Sequence, residues 1–248
     1  ETTVTQLQEA VKPEIVLTGS LGRGLVAFDV KQGEPPCTAS FLTVVGDDTL
    51  EMYPTLPTHY MGIKVLSTTE LLLAANVNET QTGPAVAFEW PTGQTRVVAE
   101  AKADAHDVQL HRGELWRLSG NALEADGTPR IFDDPEFRFG SVKLWQIFGD
   151  DRALVSDKDS SRFALFNASG LEWIASGAFR GQHNVEFTGS EYVLFDNGCP
   201  RPGCDRGRSR LLTLNESFHE VWEYEVPFTP TFGDHDKTPL GTVGSIWT

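Results

Sequence analysis

Beyond Val11 the chain shows almost no apolar period of three to four residues. Short runs of alternating or continuous apolar residues recur instead, cut by Gly, Asp, Asn and Pro. Only Thr5 to Val11 carries a pattern suited to a short helix. Strands this short and this regularly punctuated fold as sandwiches, barrels or propellers. Internal repetition chooses among them. One element returns four times: Leu25-Val26-Ala27-Phe28-Asp29, Val86-Ala87-Phe88-Glu89, Phe163-Ala164-Leu165-Phe166-Asn167 and Leu211-Leu212-Thr213-Leu214-Asn215. A second precedes it, as Glu70-Leu71-Leu72-Leu73, Glu114-Leu115-Trp116-Arg117-Leu118, Ala153-Leu154-Val155 and Glu191-Tyr192-Val193-Leu194-Phe195. A further strand follows in Leu171-Glu172-Trp173-Ile174 and Glu220-Val221-Trp222-Glu223-Tyr224.

The unit is four strands in about 35 to 50 residues, the period of a propeller blade. Blades are expected near 57–101, 104–140, 141–181 and 182–230. Phe232 to Thr248 holds inner-strand material, and residues 13–56 hold matching outer strands beginning at Leu25. Joined, the two ends complete a fifth blade and close the ring, which removes exposed sheet edges. A sixth blade follows if residues 1–56 hold more strands. The expectation is therefore an all-β propeller of five or six four-stranded blades, one domain over 1–248.

Charge narrows the partners. Twenty basic residues against thirty-five acidic ones leave a net charge of −15, which argues against a phosphate-binding surface for nucleic acid. The longest apolar runs, such as Leu71-Leu72-Leu73-Ala74-Ala75, fall far short of the roughly 20 residues a helical membrane span needs. Cys199 and Cys204 flank Pro200-Arg201-Pro202-Gly203, a turn that brings their sulfurs together and makes a disulfide plausible, with Cys37 left over. Three glycosylation sequons start at Asn78, Asn167 and Asn215. Both features point to a secreted or lumenal protein, a mature product whose leader is gone.

Four of the six histidines fall at comparable places. His59 opens His59-Tyr60-Met61-Gly62-Ile63-Lys64-Val65, His106 opens His106-Asp107-Val108-Gln109-Leu110, and His183 opens His183-Asn184-Val185-Glu186-Phe187. His235 lies in Gly233-Asp234-His235-Asp236, at the start of the closing blade. The remaining blade has Lys143-Leu144-Trp145-Gln146 in that register. First strands line a propeller's channel, so the four imidazoles are expected to converge at one mouth of it. Imidazole supplies nucleophiles, general acids and bases, and metal ligands near neutral pH.

The stretch Gln182-His183-Asn184-Val185-Glu186-Phe187, followed by Phe195-Asp196-Asn197-Gly198, resembles the arylsulfate sulfotransferase family of β-propellers. His106-Asp107-Val108, Val221-Trp222-Glu223-Tyr224 and the Gly233-Asp234 start are similar to further family motifs. The resemblance touches about half the chain, from Ala105 to roughly Trp247. The family's Leu-Pro-Asn-Gly-Asn turn is absent, with His111-Arg112-Gly113-Glu114 and Thr188-Gly189-Ser190-Glu191 in its place. The resemblance implies sulfuryl transfer from an aryl sulfate to a phenol, without a cofactor, through a covalent histidine intermediate. It makes His235 the nucleophile, with His106 and His183 as sulfate ligands or acid/base groups. Asn184 and His59 would bind substrate, and Arg201 or Arg206 would contact the sulfate through a guanidinium fork.

Two other readings use the same residues. His59, His106, His183 and His235 could instead hold a transition metal. A propeller can also serve as a non-catalytic binding or structural module with protein partners. Asp157-Lys158-Asp159-Ser160-Ser161 has the look of a calcium loop but lacks its glycine and terminal glutamate, so a blade turn explains it better.

Overall fold

The computed structural model describes residues 26–32, 39–46, 49–54, 59–76, 82–104, 107–139, 142–198, 208–227, 232–238 and 241–247. Apart from a 3-10 residue at Phe139, the regular structure in these residues is β-sheet. Strands β1 (Val26–Gln32), β2 (Ala39–Gly46) and β3 (Thr49–Pro54) form a three-stranded sheet. Four four-stranded meanders follow. The first is β4 (His59–Val65), β5 (Glu70–Asn76), β6 (Thr82–Glu89) and β7 (Gln94–Asp104). The second is β8 (Val108–His111), β9 (Glu114–Ser119), β10 (Ala122–Ala125) and β11 (Thr128–Phe132). The third is β12 (Val142–Phe148), β13 (Arg152–Asp157), β14 (Arg162–Asn167) and β15 (Gly170–Ser176). The fourth is β16 (His183–Phe187), β17 (Glu191–Asp196), β18 (Arg208–Asn215) and β19 (Glu220–Pro227). Strands β20 (Phe232–Thr238) and β21 (Gly241–Trp247) pair as a two-stranded sheet.

Turn chemistry sets these meanders. Asp126-Gly127, the two residues between β10 and β11, take φ of 48° and 79°. That is the left-handed pair a two-residue hairpin needs to match strand twist, and Asp-Gly tolerates it.

The chain divides into two compact units, Glu1–Ala105 with Thr238–Val243 and His106–Lys237 with Gly244–Thr248. In the second unit successive blades pack face to face. Trp116, Leu118, Leu123 and Ile131 of the β8–β11 blade meet Trp145, Ile147, Val155 and Phe166 of the next, with Phe137 and Phe139 filling between. Leu154, Phe163 and Leu165 point to the opposite face and meet Val185, Leu194, Leu212 and Leu214 of the β16–β19 blade. Neighbours along β13 and β14 thus serve different interfaces, which is why these strands read as unbroken apolar runs: both faces are covered. Burying each such side chain contributes about 1.5–3 kcal/mol.

Strand β12 lies beside both β8 and β16, so the first strand of each blade sits against the first strand of the next. Glutamines clamp that seam. Gln109 Oε1 accepts the Ile147 N–H at 2.9 Å and its Nε2 donates to the Trp145 carbonyl. Gln146 Oε1 accepts the Phe187 N–H at 2.7 Å and its Nε2 donates to the Phe187 carbonyl at 3.2 Å. Each primary amide replaces ladder bonds that diverging inner strands cannot make to one another. In the first unit, Leu42 and Val44 of β2 and Tyr53 of β3 pack on Ile63, Leu71, Leu73, Val86 and Phe88.

The four complete blades lie where the repeat pattern places them, but the count of five or six does not hold. The expected fifth blade, joined from both ends, is not a sheet of the described residues: β1–β3 pair among themselves and β20 pairs with β21. Residues 13–56 were expected to supply outer strands, yet β1 lies beside β4, as β8 lies beside β12. Hairpins close short loops, whereas a joined blade must bring together strands some two hundred residues apart, and loop-closure entropy favours the local pairing. A single domain over 1–248 and a closed ring remain readings of the sequence. The Thr5 to Val11 segment lies outside the described residues.

Candidate functional site

Strands β8, β12 and β16 begin, β13 and β17 end, and β14 and β18 begin at one end of the blades of the second unit. Polar residues gather there almost out of reach of solvent: Asp107, Gln182, His183, Asn184, Asp196, Asn197 and Arg210 are each at most 4 % exposed.

His183 opens β16. It pairs with Phe195, while Val185 pairs with Leu194, so Asn184 is the extra residue of a β-bulge. Asn184 takes φ +41°, the left-handed region that Asn tolerates better than most residues. Register shifts recur at the start of β4, between Tyr60 and Gly62, and of β12, between Val142 and Leu144. A bulge re-aims the side chains beside it, and here it accompanies burial of both His183 and Asn184. His183 Nδ1 lies 2.5 Å from Asn197 Oδ1.

The turn that carries Asn197 is held from behind. Asp196 Oδ1 accepts the N–H groups of Arg180 (2.8 Å) and Gly198 (2.9 Å). Its Oδ2 accepts Arg210 Nε at 3.1 Å and Nη2 at 2.8 Å. Ser209 Oγ donates to the Asn197 carbonyl at 3.0 Å. Arg210 also donates to Glu220 (3.2 Å), Glu223 (2.9 Å) and the Ala178 carbonyl (3.0 Å). Burial by itself lowers this guanidinium's pKa; the hydrogen bonds and charge of Asp196, with Glu223 and Glu220, outweigh it and leave the pKa raised. Arg210 is committed to protein partners.

Gln182 ties this blade to the preceding one, its Nε2 donating to Ser156 Oγ (3.3 Å), the Asp157 carbonyl (3.0 Å) and the Arg162 carbonyl (2.7 Å). Asp157 caps its own turn, accepting the N–H groups of Asp159 (3.0 Å) and Ser160 (3.3 Å) and the Ser160 hydroxyl. The Asp157–Ser161 segment is thus a self-satisfied blade turn. Asp107 accepts the Val108 N–H at 2.8 Å and the Trp145 N–H at 3.4 Å, bridging β8 and β12.

Of the residues singled out by sequence, His183 and Asn184 stand together in this layer. His59 opens β4 opposite Asn76, and His235 lies within β20. His106, Arg201, Arg206, Cys199, Cys204 and Asn78 lie outside the described residues, and with them the expected disulfide. Among the described residues no group of three or more His, Cys, Asp or Glu is arranged to hold a metal ion. Asn167 Oδ1 accepts the Ser169 N–H at 2.7 Å, and Asn215 Oδ1 accepts the Ser217 N–H at 2.9 Å. Each of these asparagines thus caps the turn between the third and fourth strands of its blade, over two residues after Asn167 and four after Asn215.

Sequence reasoning missed Asn197, Asp196 with Arg210, and Gln182. The Asp196–Arg210 pair emerges only from the register that sets these opposite charges at facing positions of β17 and β18. The His183–Asn197 contact had no readable signal, because only a bulge brings those side chains together.

No protein-family model and no curated protein matches the chain. Among solved structures it is similar to a protein of unknown function from Bacteroides caccae, at 11 % identity and a TM-score of 0.45, covering 89 % of this chain and 97 % of that one. It is similar to virginiamycin B lyase from Staphylococcus aureus at 11 % identity and a TM-score of 0.46, covering 83 % and 76 %. Dihydro-heme d1 dehydrogenase NirN matches at 13 % identity and a TM-score of 0.39, covering 79 % and 46 %. Likenesses this distant carry no argument about activity; the blade assignment rests on the strand pairing, and function on the chain's own residues.

Proposed function

We propose that the chain is an arylsulfate-sulfotransferase-like propeller protein that moves a sulfuryl group from an aryl sulfate to a phenol. The observation that supports this reading is His183, held at the head of β16 by Asn197 within the stretch that carries the resemblance. In the first step an imidazole nitrogen of His235 attacks sulfur, the bond from sulfur to the aryl oxygen breaks, and an acid protonates the departing phenoxide. In the second the acceptor phenol loses its proton to a base, its oxygen attacks sulfur, and the bond from sulfur to nitrogen breaks. His183 and His106 are the acid/base or sulfate-binding groups. Asn184 and His59 contact substrate, and Arg201 or Arg206 neutralises the sulfuryl oxygens.

The test is transfer from 4-nitrophenyl sulfate to phenol, followed by nitrophenolate release, with metal content measured on the same sample. Turnover without metal, reduced on the order of 10²–10⁴-fold in His183→Ala and abolished in His235→Ala, is the expected result. Stoichiometric metal without turnover would transfer the four histidines to the metal-site reading.

A second reading rests on how the Asp196–Arg210 pair and His183 are buried. Arg210 and Asp196 are spent on protein partners, and His183 is only 3 % exposed, which suits a non-catalytic binding or structural module. It predicts neither turnover nor metal, and a stability loss in His183→Ala.

A further inference from the structure

We infer that Asn197 is the positioning residue that fixes the ring and the tautomer of His183, making Nε2 the nitrogen that works. This deepens the reading of His183 as an acid/base group and rests on it for its consequence, although not for its test. The contact joins His183 Nδ1 to Asn197 Oδ1 at 2.5 Å. An amide oxygen only accepts, so Nδ1 carries the proton. In the neutral ring Nε2 then holds the lone pair, and in the charged ring Nε2 holds the transferable proton.

The amide is itself immobilised. Its residue sits in a turn whose preceding Asp196 accepts two backbone N–H groups and both nitrogens of a guanidinium fork, and whose own carbonyl accepts the Ser209 hydroxyl. The chain of support runs from Arg210 through Asp196 to Asn197 and then to His183. All four are buried, so none of the links competes with bulk water. For sulfuryl transfer the assignment is specific. Nε2 of His183 delivers the proton to the leaving phenoxide and takes the proton of the incoming phenol, while Nδ1 stays bonded to Asn197 throughout.

The experiment is two-bond proton–nitrogen NMR of the full chain labelled with 15N, with His183→Gln used to assign the ring. Wild type is expected to show a protonated-type Nδ1 for His183 throughout a pH titration, with Nε2 passing from protonated-type to unprotonated-type as the ring loses its proton. Asn197→Asp keeps an acceptor in place and is expected to retain this signature. Asn197→Leu removes the acceptor and is expected to lose it, with turnover falling about 10- to 100-fold, as for other residues that orient a working imidazole. A neutral His183 that carries its proton on Nε2 and not on Nδ1 in wild type, or an unchanged signature in a folded Asn197→Leu protein, overturns the inference. The spectra decide the tautomer whether or not an aryl sulfate is turned over, so failure of the sulfuryl-transfer reading is seen separately in the wild-type assay.

Discussion

Removing the Arg210 guanidinium tests how the buried layer is held. Arg210→Met keeps a flexible chain of similar length and deletes every donor. The arginine side chain is 3 % exposed and that of Asp196 is 1 %, so the variant strands a carboxylate in the interior. Breaking a buried pair from one side costs about 3–5 kcal/mol. The N–H groups of Arg180 and Gly198 still solvate Asp196, which pulls the cost down; loss of the donor to the Ala178 carbonyl pushes it back. Glu220 and Glu223 are each 38 % exposed, and Glu→Gln at either should change stability by less than about 1 kcal/mol. Asp196→Asn leaves no orphan charge and should cost about 1–3 kcal/mol. The decisive member is the double variant Arg210→Met with Asp196→Asn. Removing both charges eliminates the stranded carboxylate, so it should be no less stable than Arg210→Met alone. Urea unfolding followed by tryptophan fluorescence and near-UV circular dichroism, with midpoints compared at unchanged m, gives these differences. A single Arg210→Met within about 1 kcal/mol of wild type, or a double variant that sums the two single losses, would refute the reasoning.

Two further outcomes follow from the packing and the surface. Trp173 faces Leu165 across β14 and β15 and packs on Phe163, Tyr192 and Phe218, whereas Trp222 at the matching place opposite Thr213 is 50 % exposed beside Tyr224. Thermal and urea unfolding should therefore show Trp173→Ala losing about 2–4 kcal/mol and Trp222→Ala under about 1 kcal/mol; equal losses would contradict the interface assignment. The Arg152 hydrogen bonds hold the Glu172 carboxyl below its ordinary pKa, against burial and with help from Asn167. A depressed folded pKa stabilises above the unfolded value and stops doing so as pH falls through the folded one. Glu172→Gln should thus cost about 0.2–1 kcal/mol at neutral pH and nothing once both forms are protonated; a pH-independent difference would count against the ion pair.

Much of the blade structure could be read from the chain because it is local. Apolar runs such as Phe163-Ala164-Leu165-Phe166 and turn residues such as Asp126-Gly127 act over a few positions, and four blades fall at the spacing they set. The ends were misjudged for a related reason. A strand such as Val26–Gln32 has the same apolar content whether it lies at the inner or outer place of a sheet, so composition cannot rank the two.

The candidate site was legible only in outline. His183 and Asn184 at a strand start, and the turn Asp196-Asn197-Gly198, are visible as residue types. That Nδ1 of the one meets Oδ1 of the other depends on a bulge at Asn184, and a one-residue change in register reverses the face a side chain occupies. Arg210 shows the limit from the other side: it reads as a surface charge and is instead held at 3 % exposure by three carboxylates.

By itself the sequence determined the all-β class, the four blade repeats, the turns between strands and the acidic charge, all set by period, composition and local backbone preference. The three-dimensional structure alone decided which apolar face meets which blade, which polar groups are buried together, and which nitrogen of His183 is held. Those depend on contacts between residues distant in the chain, whose strength is set by burial and geometry.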